Sequence, residues 1–363
     1  MADIMIITNP MIAANESAKV TLSKFLRVLE VCGGTIGVIG GNLRVDEDIE
    51  KVQLLSVPIK RSPNRTKRIL NLFQLQFQTA ALAFRHINKN MPVYFWIGDK
   101  MLLPYFAAKL KRAEIHYYIY GNPEKEGKAG KLSRISADLI RFMANHADYI
   151  CMESPSVKQE WSGLKAKNEQ IIHLYTDLAP MTVIEKRGKT IGMLCRLTAG
   201  KHVLESIQAF SVFHERHPEW KLEIIGSGVQ EAECRNLIRE LHLDNVVVLH
   251  GWVDHTHMRD LTEKWSYLLF PSDTEGVPNG VIEMMAQGIP AIASPVGGIS
   301  DLIEPNKTGW FIDDCSVRGV LEALERAVVA DSYGEVAVGA RSVIAQKYVL
   351  EAAQADAKSQ MSR

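Results

Sequence analysis

Apolar residues along this chain fall in short unbroken runs, and between the runs they recur at helical spacing. In the first half the runs are 4–9 (IMIITN), 35–41 (TIGVIGG), 52–58 (VQLLSVP), 93–98 (VYFWIG), 115–121 (IHYYIYG) and 148–153 (DYICME). Segments 16–31, 68–87, 100–112 and 131–146 carry the helical period. Continuous β-branched and aromatic runs separated by helices predict parallel strands covered on both faces. The rhythm restarts at 190–197, 222–228, 246–252, 267–272, 289–294 and 309–313. Between the halves, residues 177–189 (DLAPMTVIEKRGK) are polar and contain proline, which suits a linker. The pattern predicts an α/β chain of two Rossmann-like, doubly wound parallel-sheet domains facing a cleft, 1–178 and 179–345. A helix over 346–363 is expected to pack back towards the first domain.

Bulk properties narrow the classes. A chain of 363 residues exceeds what one core usually serves. Its 42 basic and 42 acidic residues cancel, so no global field points to nucleic acid. Five scattered cysteines without a C-x-x-C suit reduced thiols of a cytosolic protein. The N-terminus has an acid and no basic stretch, against a secretory signal, and no uncharged apolar run is long enough to span a bilayer.

In doubly wound sheets ligands sit beyond the carboxyl ends of strands, which directs attention to the loops after 197, 228, 252, 272 and 294. LCRLTAGKHVLE places Arg196 at a strand end and Lys201 at a helix start. Two cations beside a helix N-terminus favour a diphosphate, although two solvated basic residues would look the same. Gly226 and Gly228 mark the next strand-to-helix turn, but Glu231 stands where a G-x-G-x-x-G fingerprint needs glycine, which argues against a dinucleotide enzyme. His250, His255 and His257 do not share a helix face and suit capping or surface roles. Trp252 and Val253 follow a strand, where they can flank a planar base.

PSDTEGVPNGVIE (271–283) puts Glu275 just past a strand and Glu283 on the first turns of a helix, with a Pro278–Asn279–Gly280 turn between them. A carboxylate near a helix N-terminus is stabilised by the dipole in any protein. The functional alternative has Glu283 accept hydrogen bonds from a ribose diol while Glu275 faces a sugar hydroxyl. Backbone N–H groups of Gly276, Val277, Pro278 and Asn279 (Pro278 itself having none) would line the space between. Two carboxylates opposite Arg196 and Lys201 make a layout for a nucleotide-sugar.

Together with RLTAGK, GSG, GWV and VGGISDLIEPNKTGWF, the segment PSDTEGVPNGVIEMMAQGIPAIASPVGGISDLI resembles the signature of glycosyltransferase family 4, a family of the GT-B fold. The likeness covers residues 190–313 closely and the first half only in its strand–helix rhythm. It implies that Arg196 and Lys201 hold the donor diphosphate, Glu275 and the following amides the sugar, and Glu283 the ribose. Gly226, Trp252 and Val253 join the donor-binding set. It also implies retention of anomeric configuration without a bound metal or other cofactor. The donor would be a nucleotide-diphosphate sugar, UDP-linked first and GDP-mannose second. The acceptor would be a glycan or lipid-linked hydroxyl, as in cell-surface polysaccharide biosynthesis.

The first half departs from the family's pattern. Ala13, Ala14 and Asn15 stand where members often have a glycine-rich loop, and Tyr120 stands where many have a histidine. His116 sits inside its strand and suits the core; residues 121–130 suit an acceptor or closure loop. Asp46 and Asp48 form a D-x-D, the metal-binding device of the other main glycosyltransferase fold, but they follow a polar stretch and suit a solvated loop. The basic run 60–68 and the uncharged segment 69–84 after it, within 60–87, suit either a core helix or an amphipathic contact with an anionic membrane. The expected location is cytoplasmic, peripheral at the inner face of the membrane. Rival readings are a nucleotide-sugar epimerase, a non-catalytic nucleotide-sugar-binding subunit and, more distantly, a pyridoxal-phosphate phosphorylase.

Overall fold

The run 4–9 forms an interior strand of the first sheet because its alternate residues are apolar towards both faces. Ile4 and Ile6 pack on one side, Met5 and Ile7 on the other. In the computed structural model, residues 2–9, 16–60, 62, 64–98, 101–125, 130–165, 168–178 and 188–361 are described.

The first sheet comprises β1 (Ile4–Ile7), β2 (Ile36–Gly41), β3 (Val52–Val57), β4 (Pro92–Phe95), β5 (Glu114–Tyr118), β6 (Tyr149–Met152) and β7 (Glu169–Ile171). All pairings are parallel, in the order β3-β2-β1-β4-β5-β6-β7. Its helices are α1 (Glu16–Leu29), α2 (Arg65–His86), α3 (Leu102–Leu110), α4 (Lys131–Asn145) and α5 (Pro155–Gln159). Helices α2, α3 and α4 share a core with Met5, Ile7 and Phe95, whereas α1 packs on the opposite face through Leu22, Phe25 and Leu26. Helix α2 starts at Arg65, earlier than its apolar period, because Asn64 Oδ1 accepts from the amides of Thr66 (2.9 Å) and Lys67 (3.3 Å).

The second sheet comprises β8 (Thr190–Leu194), β9 (Lys221–Ile225), β10 (Val247–Gly251), β11 (Tyr267–Phe270), β12 (Ala291–Ala293) and β13 (Gly309–Phe311), ordered β10-β9-β8-β11-β12-β13. Around it lie α6 (Val203–Arg216), α7 (Glu231–Glu240), α8 (His255–Thr262), α9 (Asn279–Ala286), α10 (Ile299–Leu302), α11 (Val317–Val328) and α12 (Tyr333–Lys347). The last helix, α13 (Leu350–Met361), returns to the first domain. Ala353 and Ala357 enter the core beside α1, Gln354 Nε2 donates to the Arg27 carbonyl at 2.8 Å, and Asp356 meets His173 Nε2 at 3.2 Å. Where the chain crosses between domains, the Thr176 amide donates to the Tyr348 carbonyl at 2.8 Å.

Two elements differ from expectation. Strand β3 is largely half-buried or exposed rather than covered on both faces, since it is an edge with β2 as its one neighbour. Strand β7, three residues with little apolar content, gives no periodic signal. Most of the expected linker 177–189, the stand-in loop Ala13–Asn15 and residues 126–129 lie outside the described residues. Among the described residues, no helix is long and apolar enough to cross a membrane.

Candidate functional site

The carboxyl ends of β8, β9, β10 and β11 deliver four loops to one side of the second sheet. With Val20, Thr21 and Lys24 of α1 they enclose a cleft of about 630 Å³. Arg196, Lys201, Gly226, Trp252, Val253, Glu275, Pro278, Asn279 and Glu283 all line it. Gly226 has φ +142°, and a Cβ there would sit 1.8 Å from the Cys195 carbonyl, so only glycine lets the β9 loop pass this close to the β8 loop. Trp252, 60% exposed, stands at the rim.

The centre of the cleft is an ion pair. Lys201 closes a short 3₁₀ turn, and its ammonium contacts Glu275 Oε1, lies 3.1 Å from Ser272 Oγ and stands 5.2 Å above the Phe270 ring. Ser272 Oγ donates to the same carboxylate oxygen at 2.8 Å. The two charged side chains are only 11% and 13% exposed, and each offsets the desolvation of the other. The expectation that Lys201 faces Glu275 from across the cleft is therefore corrected. Both belong to the second domain, and a buried ammonium on an aromatic face needs its counter-charge at hand.

Glu283 occupies the first turns of α9, and there the opposite wall supplies the partner. Lys24 Nζ of α1 lies 3.4 Å from Glu283 Oε1, with both side chains mostly buried. The Val277 amide is a second correction. The Val277 amide donates to Glu153 Oε2 at 3.1 Å, and the Gly276 carbonyl accepts from the Gly298 amide at 2.7 Å. The Val277 N–H and the Gly276 carbonyl thus hold the loop in shape.

Loops after β5 and β6 of the first domain grip the same segment from behind. The Asn122 amide donates to Thr274 Oγ1 at 2.8 Å, and that hydroxyl donates to Glu160. Glu160 Oε1 accepts from the Gly297 amide at 2.6 Å. Asp301 accepts from the Ser156 amide at 3.1 Å, from Ser156 Oγ at 2.8 Å and from Ser154 Oγ. Glu153 is buried; loss of water chiefly, and the neighbouring Glu275 charge after it, push its carboxyl up to about 7, against the Val277 hydrogen bond. Sequence reasoning missed Lys24, Glu153, Glu160 and Asp301. ESPSVKQE looks like a helix cap, and nothing local marks contacts with residues more than a hundred positions away.

Tyr120 is absent from the cleft lining; its ring stacks on Tyr118 at 6.0 Å and its carbonyl accepts from Trp161 Nε1 at 2.6 Å. His116 is a core residue, between Tyr94 and Tyr149 and bonded to Gln170 and Glu114. Asp46 pairs with Lys19 (3.1 Å) and Arg27 (3.3 Å), and Asp48 with Arg27 (2.7 Å). Among the described residues, no group of three or more His, Cys, Asp or Glu side chains is placed to hold a metal.

Residues 177–333, which supply every second-domain residue of this cleft, match the family model described as glycosyl transferases group 1. The second domain belongs to that family. A stretch of 159 residues is 37% identical to an exopolysaccharide phosphotransferase of Streptomyces coelicolor, covering 41% of this chain and 16% of that protein. Another of 119 residues is 30% identical to the lipopolysaccharide 1,6-galactosyltransferase of Escherichia coli, covering 32% of this chain and 33% of that one. The chain thus spans a third or less of these relatives' length. The structure of Anabaena HepE in complex with UDP and glucose superposes over the whole of both chains, with a TM-score of 0.76 at 13% identity. That likeness gives the fold, GT-B, around a glycosyl transferase group 1 domain.

Proposed function

We propose that the protein is a retaining glycosyltransferase that moves a sugar from a nucleotide-diphosphate sugar to a hydroxyl of a glycan or lipid-linked acceptor. The observation that carries it is the Lys201–Glu275 pair at the centre of a cleft that also gathers Arg196, Glu283 and Trp252. Departure of a nucleoside diphosphate builds negative charge, which Arg196 and Lys201 stabilise. The sugar becomes oxocarbenium-like, and the Glu275 carboxylate stabilises that cation. Lys201 approaches the phosphates from beside Glu275, so one side chain senses both charges. Glu283, between the domains, receives the ribose diol in exchange for its contact with Lys24. No step requires a metal ion. The polysaccharide and lipopolysaccharide names of the relatives, and the UDP of the HepE complex, favour a UDP-sugar over GDP-mannose and a role in cell-surface polysaccharide biosynthesis. Such acceptors place the protein in the cytoplasm at the inner face of a membrane.

Thermal-shift screening against UDP, GDP and ADP, then their sugars, followed by product analysis with and without acceptors, tests this. Stabilisation by one nucleotide and acceptor-dependent transfer are expected. Conversion of the donor alone would point to an epimerase, and binding without transfer or hydrolysis to a non-catalytic subunit.

A further inference from the structure

Helix α2 has apolar residues on two sides, and only one side is buried. Leu75, Thr79 and Ala83 enter the core of the first domain. Ile69, Leu70, Phe73, Phe77 and Phe84 stay outside it, at 48%, 61%, 57%, 63% and 54% exposure. With successive residues about 100° apart, these five fall within an arc of roughly 100°, a stripe and not a scatter. Isolated exposed apolar side chains are ordinary; contiguous ones mark a contact.

The stripe continues across the neighbouring helices of the same sheet face. Phe106 and Leu110 of α3 and Leu132, Ile135 and Phe142 of α4 are all exposed. The Phe106 and Phe142 rings lie 6.3 Å apart, and Lys111 Nζ sits 4.9 Å above the Phe84 ring, joining the end of α3 to α2. The charge around this face is mainly positive; the exposed acids Asp138 and Asp148 are paired with Arg141 at 2.9 Å and Lys109 at 3.7 Å. Between Glu50 and Asp99 the sequence holds eight Lys and Arg and no acid, in a chain whose charges balance overall. Lys67, Arg68, Arg85, Arg112, Lys131 and Arg134 are exposed around the apolar residues.

We propose that the α2–α3–α4 face seats the protein on an anionic lipid bilayer, with the Leu and Phe side chains entering the headgroup–acyl boundary and the cations meeting lipid phosphates. A second copy of the chain is the poorer occupant. A two-fold dimer lays a patch against itself and would set these cations against one another. A bilayer offers apolar depth and negative charge in one plane, as this face requires. The placement does not depend on what the cleft binds.

Flotation of the full chain with vesicles of phosphatidylcholine alone, or with added phosphatidylglycerol, at low and high salt, tests it. Binding to phosphatidylglycerol vesicles that high salt weakens is expected. The pairs Phe73→Ser with Phe77→Ser, and Lys67→Glu with Arg68→Glu, should each reduce it at least about tenfold. All four residues are exposed, so the variants should keep the wild-type melting temperature. No binding by the wild type, equal binding to pure phosphatidylcholine, or binding that neither pair weakens would overturn the proposal. So would a dimer in light scattering that Phe73→Ser with Phe77→Ser dissociates.

Discussion

The backbone N–H of Val277 donates to Glu153 Oε2 at 3.1 Å, so a buried carboxyl of the first domain steadies the loop that carries Glu275 in the second. A Cβ on Gly276 would come within 2.9 Å of the same oxygen, which shows how tightly the loop sits on it. Burial raises the Glu153 carboxyl to about 7, above its ordinary value of 4.5. Within that window the folded protein holds a proton that the unfolded chain has released. This group therefore favours the fold fully at the acid end and progressively less as pH rises towards about 7. The melting temperature of Glu153→Gln should fall less steeply than that of the wild type across this window. Parallel curves would show that the carboxyl does not titrate there.

Glu275→Gln and Lys201→Ala test the ion pair. Each should lower transfer by about 10²–10³-fold, the scale of removing one group aimed at developing charge. Lys201→Ala should also destabilise the protein by about 3–5 kcal/mol, since it strands a buried carboxylate. Turnover within a few-fold of the wild type in either variant would remove the pair from the mechanism.

Gly297 supports the reacting loop through its lack of a side chain. Its φ is +50°, and a Cβ would fall 2.0 Å from the Glu275 carbonyl oxygen. Gly297→Ala should both lower the melting temperature and remove activity. Gly163→Ala is the matched control: φ is +77°, but nothing lies within 4 Å of its Cβ. It should cost about 1–2 kcal/mol from backbone strain alone, with activity unchanged.

Asp301→Ala leaves Ser154 and the Ser156 hydroxyl and amide without their acceptor. A loss of about 1–3 kcal/mol in stability is expected. Hydrogen exchange should become faster at Ser156, Val157 and Gly297 and stay the same at β8. Uniform acceleration would indicate general destabilisation and not a loosened domain contact.

Much of the fold was legible because parallel strands buried on both faces are written as continuous apolar runs, as in IMII of β1 and YLLF of β11. That Arg196, Lys201, Glu275 and Glu283 share a cleft was legible too, since the first three follow strand ends closely and Glu283 lies on the helix that the last of those loops leads into. What stayed hidden depends on tertiary approach. The direct contact of Lys201 with Glu275, the capture of the Val277 amide by Glu153, and the meeting of Lys24 with Glu283 join residues 74, 124 and 259 positions apart. No local pattern encodes them, because Lys24 belongs to an ordinary amphipathic helix and Glu153 to the end of the run 148–153.

The return of α13 makes the first domain discontinuous in sequence, completed only by the last residues of the chain. Any shortened version ending after α12 would strip α1 of Ala353, Ala357 and the Gln354 bond, opening the part of that core which α13 closes. The two crossings are also tied to each other by the Thr176–Tyr348 hydrogen bond. The halves thus share a pivot with two strands through it, which suits swinging about a fixed line better than drifting apart on a tether.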